Sequence, residues 1–209
     1  MPDRRSRREA EIAEAAYRLL DEAGLDGTTV TAVARAAKAS NETLYRWYGD
    51  RTGLFAALVR RNAGLIRDAL EESRGTGLDG LARIGPTLLA MLTGPRAVAL
   101  NRAAAADASG TLGAELARGG REQIAPLIAA RIAEAQAAGT LGHADPGEIA
   151  ETWLALLIGD LQIRRATGAL AQPTAREIGA RAARALAQLT RLYPAPSAPA
   201  PLDPEPASA

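Results

Sequence analysis

The sequence predicts an all-α protein, and three observations support this prediction. Apolar residues recur at the i, i+3, i+4, i+7 spacing of helix faces, and no stretch alternates apolar and polar residues as a half-buried strand would. Glycine and proline fall at discrete breaks between those stretches. Of the 209 residues, 47% are hydrophobic but only 3% are aromatic, so Ala, Leu, Ile and Val must fill the core.

Composition excludes several kinds of site. The chain has no cysteine, which rules out disulfides, thiolate zinc sites and thiol catalysis. One histidine, scattered carboxylates and no glycine-rich phosphate loop provide no catalytic constellation. We therefore expect no catalytic residue, no metal and no cofactor. The formal net charge of +1 does not by itself indicate a nucleic-acid partner.

Nothing in the sequence predicts secretion or membrane insertion. The first 15 residues lack the apolar segment of a signal peptide. The most apolar run, 153–158, is far shorter than the ~20 residues that a helix needs to cross a bilayer. We therefore expect a cytoplasmic protein without a membrane partner.

A basic segment, residues 4–8 (RRSRR), leads into the first predicted helix, which spans about Arg8 to Ala23. The apolar residues of this helix lie on one face, and Gly24 should end it. The basic segment fits two interpretations: an arm that contacts phosphate or the minor groove, or a disordered, solvated start.

The stretch 29–51 predicts two short helices, over about 30–37 and 41–48, joined by a tight turn. Thr29 and Ser40 are placed to cap these helices, because each hydroxyl can accept a hydrogen bond from a main-chain N–H of the following turn. A second helix that carries hydrogen-bonding and aromatic side chains is typical of a helix-turn-helix unit, which reads a DNA major groove.

The second helix should be anchored by Leu44, its one strongly apolar residue, and ended by Gly49. Base contacts are expected from residues near the start of this helix. An Asn side chain can form paired hydrogen bonds with adenine, and an Arg side chain can do so with guanine. The predicted base-contacting residues are Ser40, Asn41, Thr43 and Arg46. The predicted phosphate or sugar contacts are Thr29, Thr31, Tyr45, Trp47, Tyr48 and Arg51. The alternative interpretation places some of the aromatic residues in the core of a small helical domain.

The remaining elements are also predicted to be helical. They are expected, in chain order, at about 51–73, 78–93, 95–107, 112–118, 121–138, 145–167 and 174–193. Asp145 followed by Pro146 should open the penultimate helix, and Thr174 with Glu177 predicts a capping box on the last. Residues 194–209 contain six prolines and are expected to be disordered.

The run 29–58 resembles the DNA-binding domain of the TetR family of transcriptional regulators. The residues that carry the resemblance are Thr29, Val33, Ala34, Ser40, Thr43, Leu44, Tyr45, Trp47, Tyr48, Arg51 and Leu54. The chain departs from the family pattern at Lys38, Ala39, Glu42 and 49–51. A left-handed residue 38 costs energy when it is not glycine, which is usual there. Glu42 would either accept from cytosine N4 or face the next helix.

Apolar stripes on the last two predicted helices suggest a dimer surface. The residues concerned are Ile149, Trp153, Leu156, Leu157, Ile163, Ile178, Ala182, Leu186, Leu189 and Leu192. The TetR resemblance implies that two copies pack these helices into a four-helix bundle and bind a palindromic operator as a homodimer. Part of each stripe is expected to be buried within the monomer.

The resemblance also implies a ligand pocket among the middle helices and a repressor that a small-molecule effector releases from DNA. Candidate pocket residues are Asn101, Arg102, Asp107, Gln123, Trp153, Asp160 and Gln162. Polar residues on such helices are more often surface or bundle residues than pocket residues. The scarcity of aromatic residues favours an aliphatic pocket over a cage for flat cations.

These predictions divide the chain into three parts. A DNA-binding domain with a basic amino-terminal arm is expected over 1–53, an effector-binding and dimerisation domain over 54–193, and a tail over 194–209. A helical protein–protein adaptor without DNA binding is the alternative function. It accounts for the later helices but not for the residues at 40–51.

Overall fold

The computed structural model describes residues 4–72 and 75–196, and the predicted tail lies outside this part from residue 197 onward. Within these ranges all regular structure is helical, which confirms the predicted class. The elements are α1 Arg4–Gly27, α2 Val30–Ala36, α3 Asn41–Tyr48, α4 Arg51–Glu72, α5 Gly77–Thr93, α6 Pro95–Ala106, α7 Thr111–Leu116, a π turn Ala117–Arg121, α8 Glu122–Ala137, α9 Pro146–Ile158, α10 Leu161–Ala166 and α11 Ala175–Leu192. No helix of the described part combines the length and apolarity that a bilayer span requires.

The predicted helix caps are present. The side chains of Thr29, Ser40, Asp145 and Thr174 each accept a hydrogen bond from the main-chain N–H three residues further on. The Glu177 carboxylate accepts a hydrogen bond from the main-chain N–H of Thr174, which completes the capping box. At each of these four helix starts, the capping side chain and the N–H group that it binds lie within one turn of the chain.

Three predicted helix boundaries are wrong. The break predicted after residue 118 is absent, because the π turn Ala117–Arg121 joins α7 to α8. Helix α1 begins at Arg4, so the basic segment forms its first turns and is not a separate arm. The helix predicted over 145–167 is broken at Gly159, which has φ 52° and separates α9 from α10. There the carbonyl oxygen of Leu157 accepts a hydrogen bond from Arg181 of α11 (3.0 Å). A Cβ at position 159 would lie 2.5 Å from the same guanidinium, so glycine leaves room for this arginine of α11.

The helices enclose two hydrophobic cores. The N-terminal core is formed by α1–α3, the first half of α4, α6 and α7; Ile12, Leu44 and Leu100 are among its buried residues. The C-terminal core is formed by the second half of α4 together with α5, α8, α9 and α11, and it includes Trp153 and Ile128. The predicted boundary at residue 53 therefore runs through the N-terminal core, because that core extends into α4 and is closed by α6.

Candidate DNA interface and ligand cavity

The helix-turn-helix unit, α2 with α3, is held by a few fully buried side chains. Val33 of α2 and Leu44 of α3 are completely enclosed in the N-terminal core. Within α3, Leu44 is buried, whereas Asn41, Tyr45 and Arg46 are exposed to solvent. The Tyr45 ring is 51% exposed and is available for contacts on this face. This face is the candidate DNA interface.

The turn between α2 and α3 is closed by main-chain hydrogen bonds and by one distant arginine. Lys38 has φ 51° and is the only non-glycine residue with a positive φ among the described residues. The N–H of Ala39 donates to Ala34 and the N–H of Lys38 donates to Arg35, which is the Schellman pattern of a helix end. The Arg8 guanidinium of α1 donates to the Lys38 carbonyl oxygen (Nη2–O 2.6 Å). The left-handed residue predicted from the sequence is thus present.

The two aromatic residues at the end of α3 lie against the N-terminal core. Trp47 and Tyr48 are half-buried, with ring centroids 6.4 Å apart in an edge-to-face arrangement. The Arg5 guanidinium lies 5.3 Å from the centroid of the Trp47 ring. Burial raises the pKa of the Tyr48 phenol, and the nearby Glu9 carboxylate raises it further. Both side chains pack within the protein. Their contacts with DNA therefore stay a prediction.

Polar side chains of α3 are partly engaged with one another. Glu42 pairs with Arg46 across one helical turn at 3.7 Å, and its side chain is largely exposed. Its contact with a cytosine stays a prediction. The hydroxyls of Ser40 and Thr43 share a hydrogen bond of 2.8 Å. Thr31 and Arg51 are exposed at the starts of α2 and α4. This arrangement supplies hydrogen-bond donors for phosphates and base edges. A contact of Arg46 with DNA would compete with its exposed ion pair to Glu42.

A cavity of about 320 Å³ lies between the two cores. Its walls come from α4–α10 and the π turn, and they consist mainly of Val, Ile, Leu and Ala side chains. The polar lining residues are Asn62, Asn101, Arg121 and Gln162. Asn101 and Gln162 were among the predicted candidates, whereas Asn62 and Arg121 were not. No local sequence pattern distinguishes those two from surface residues of an amphipathic helix.

The structure places five predicted pocket residues away from this cavity. Trp153 is enclosed in the C-terminal core. Arg102 donates to a main-chain carbonyl of α10 (2.7 Å), and Asp107 accepts a main-chain N–H at the start of α7 (2.8 Å), which lowers the pKa of Asp107. Gln123 faces a carbonyl of the π turn at 3.4 Å, and Asp160 pairs with an arginine of α10 at 3.8 Å. These polar groups join or end helices and do not face the cavity.

The predicted dimer surface requires a larger correction. Six of its residues, Ile149, Trp153, Leu157, Ile178, Ala182 and Leu189, are buried in the C-terminal core. Leu156 and Leu186 are half-buried, and only Ile163 and Leu192 are well exposed. The reason is that α9 and α11 turn their apolar stripes towards α5 and α8 of the same chain. The outward face of α11 carries small and polar residues instead.

Two family models match the chain. The model described as bacterial regulatory proteins, tetR family, matches residues 12–58. The model described as the C-terminal domain of AefR-like transcriptional repressors matches residues 79–195. The first match extends from α1 into α4 and contains the helix-turn-helix unit. The second extends from α5 past the end of α11.

Relatives agree with these matches. The HTH-type transcriptional regulator BetI of Burkholderia thailandensis is 39% identical over 61 residues, which are 29% of this chain and 30% of BetI. The matched segment thus spans less than a third of that relative. A TetR transcriptional regulator of Agrobacterium tumefaciens is 32% identical, with a TM-score of 0.73, over 89% of this chain and 94% of its own. A TetR-family regulator of Mesorhizobium loti shares the fold, with a TM-score of 0.76 at 24% identity over 92% and 99% of the two chains.

Proposed function

The chain belongs to the TetR family of DNA-binding transcriptional regulators, and on that premise we propose that it is a repressor released from its operator by a small molecule. It acts as a homodimer on a palindromic operator. The repressor assignment is supported by the match of 79–195 to a model described for transcriptional repressors. The predicted contacts to DNA are those of the helix-turn-helix unit.

The observation that carries this proposal is the position of α4. Its first turns contribute Leu54 and Leu58 to the core that holds the helix-turn-helix unit. Further along α4, Ala63 and Ile66 line the cavity, and Val59 belongs both to that core and to the cavity lining. A ligand that fits the cavity better in one position of α4 than in another therefore shifts the helix-turn-helix unit with it. The shift is limited by the difference between the ligand's affinities for the two states.

The homodimer is supported by the outward face of α11. Ala180, Ala183 and Ala187 are exposed on one side of that helix, and their small side chains allow a second helix to approach closely. The exposed Leu192 at the end of α11 and the exposed Ile163 of α10 add apolar area. Two helix-turn-helix units must reach successive major grooves about 34–36 Å apart, which a fixed dimer can achieve.

The experiment that tests the proposal is selection of bound sequences from a random duplex library. A homodimeric regulator should enrich an inverted repeat whose half-sites are spaced by about one helical turn. Binding to that repeat should weaken with salt at a log–log slope of about −0.9 for each neutralised phosphate. An absence of salt-dependent DNA affinity would contradict the regulator proposal and favour the helical protein–protein adaptor. Enrichment of a single, non-repeated site would contradict the proposed homodimer.

Repression and release need a separate measurement. With the selected operator placed over a promoter, deletion of the protein should raise reporter expression. Lower expression after deletion would indicate an activator. A ligand that enters the cavity should lower operator affinity and change the distance between spin labels on the two α3 helices. Lower affinity at an unchanged distance would exclude the movement of α4 as the cause.

A further inference from the structure

We infer that the cavity binds an aliphatic monocarboxylate, with the carboxylate at Arg121 and the hydrocarbon chain between α4, α5, α8 and α9. This inference rests on the proposed ligand-responsive function and names the chemical class of the effector. Three features of the cavity support it: the composition of its walls, its single charge, and the placement of its neutral polar groups.

The walls favour a flexible hydrocarbon chain. Ile66, Leu88, Leu100, Ile124 and Leu154 line the cavity from five different helices. No aromatic residue is present among the described lining residues, so flat rings find no stacking partner there. No Asp or Glu belongs to that lining set either, and a cationic ligand would therefore be desolvated without a counter-charge.

Arg121 is the only charged residue in this lining, and its position suits an anionic head group. It is the last residue of the π turn, a helix irregularity that is often found at functional sites. Its guanidinium is 3.4 Å from the Glu151 carboxylate of α9, and both side chains are more than half exposed. Such an exposed pair contributes little to stability. A ligand carboxylate can take the place of Glu151 and form the paired hydrogen bonds that guanidinium groups favour.

The opposite end of the cavity is polar but neutral. Arg121 meets α9 at Glu151, whereas Gln162 follows the end of α9. Positions 151 and 158 are seven steps apart along α9, which is a rise of about 10 Å at 1.5 Å per residue, so the two polar ends are well separated. Gln162 donates to the Leu92 carbonyl oxygen (3.2 Å), and Asn101 donates to the Ala97 carbonyl oxygen (2.8 Å). These tethered amides carry no charge, so a second carboxylate has no partner at that end.

The test is calorimetric titration of the full chain with decanoate, decan-1-ol and decanedioate. Decanoate should bind more tightly than either of the other two. Arg121→Gln should weaken decanoate binding about fivefold, the factor that corresponds to an exposed charge pair of about 1 kcal/mol, and leave decan-1-ol binding unchanged. Glu151→Gln should strengthen decanoate binding, because it removes the competing carboxylate.

Arg118→Gln is the matched control. Arg118 lies in the same π turn and pairs with Glu115, but it does not line the cavity. Its substitution should leave decanoate affinity unchanged. Equal binding of decanoate and decan-1-ol, equal effects of the two arginine substitutions, or no binding of decanoate would each overturn the inference. Operator binding is measured on the same samples without ligand, so loss of the ligand class and loss of the regulator function are distinguishable.

Discussion

The Arg8 guanidinium in the first turns of α1 binds the carbonyl oxygen of Lys38 at 2.6 Å, across 30 residues of sequence. Lys38 is left-handed at φ 51°, a conformation that costs a non-glycine residue roughly 1–2 kcal/mol. Arg8 therefore supports the one strained position of the turn that sets the angle between α2 and α3. This contact gives part of the basic amino-terminal segment a role within the protein.

Arg8→Ala should weaken operator binding because the turn loses this support. The slope of log affinity against log salt should stay unchanged, since in this arrangement Arg8 neutralises no phosphate. Affinity and slope are measured by titrating the operator at several salt concentrations. A slope reduced by about 0.9 would mean that Arg8 contacts DNA directly.

Lys38→Gly should reduce the effect of Arg8→Ala. Glycine adopts the left-handed conformation without strain, so the turn keeps its geometry when the arginine is absent. The measurement is a double-mutant cycle on operator affinity, in which a shared structural cause appears as non-additivity. Additive effects would show that Arg8 and Lys38 act independently on binding.

Arg51→Ala and Asn41→Ala should affect operator binding in different ways. Arg51 is exposed at the start of α4, so its loss should weaken binding to all sequences alike and reduce the salt slope by about 0.9. Asn41 is exposed at the start of α3, so its loss should change the preferred base at one position of each half-site, by about 1–3 kcal/mol. Repeating the library selection with both variants checks this. The reverse pattern would exchange the two roles.

Gly119→Ala should destabilise the contact between the π turn and α4. A Cβ at residue 119 would lie 2.9 Å from Cγ1 of Val59, which is buried and β-branched and so has little room to move. Overpacking of this kind costs about 1–3 kcal/mol. Gly120→Ala is the control, because its Cβ would have no neighbour within 4 Å. The free energy of unfolding in urea is measured for both variants. Equal free energies would contradict the predicted contact.

Tyr17→Phe should lower the free energy of unfolding by about 1 kcal/mol near neutral pH. The buried Tyr17 hydroxyl donates to the Leu58 carbonyl oxygen (2.7 Å) and ties α1 to α4. Burial raises the pKa of Tyr17 to about 12. Because the folded-state pKa exceeds the unfolded value of about 10, the stabilisation is complete below pH 10 and is lost as pH rises through 12. Urea unfolding at about pH 8 and about pH 11 should show the two proteins converging; a constant difference would exclude this linkage.

Local interactions made much of the fold predictable. Thr29, Ser40, Asp145 and Thr174 cap helices through hydrogen bonds to N–H groups only three residues away, so their sequence pattern is sufficient. Strain at Lys38 was expected because the family pattern favours glycine there and a left-handed residue other than glycine costs energy. The break at Gly159 was missed; there Arg181, which lies on another helix, donates to the Leu157 carbonyl oxygen.

The functional site divides in the same way. The sequence by itself determined the helical class, the helix caps and the helix-turn-helix unit, because spacing and capping act within a few residues of the chain. Only the tertiary structure decided which face of α9 and α11 is buried, that Arg8 supports Lys38, and that Arg121 is the one charged side chain lining the cavity among the described residues. An apolar stripe predicts that a helix face is covered but does not identify the helix that covers it, since that depends on how distant segments pack.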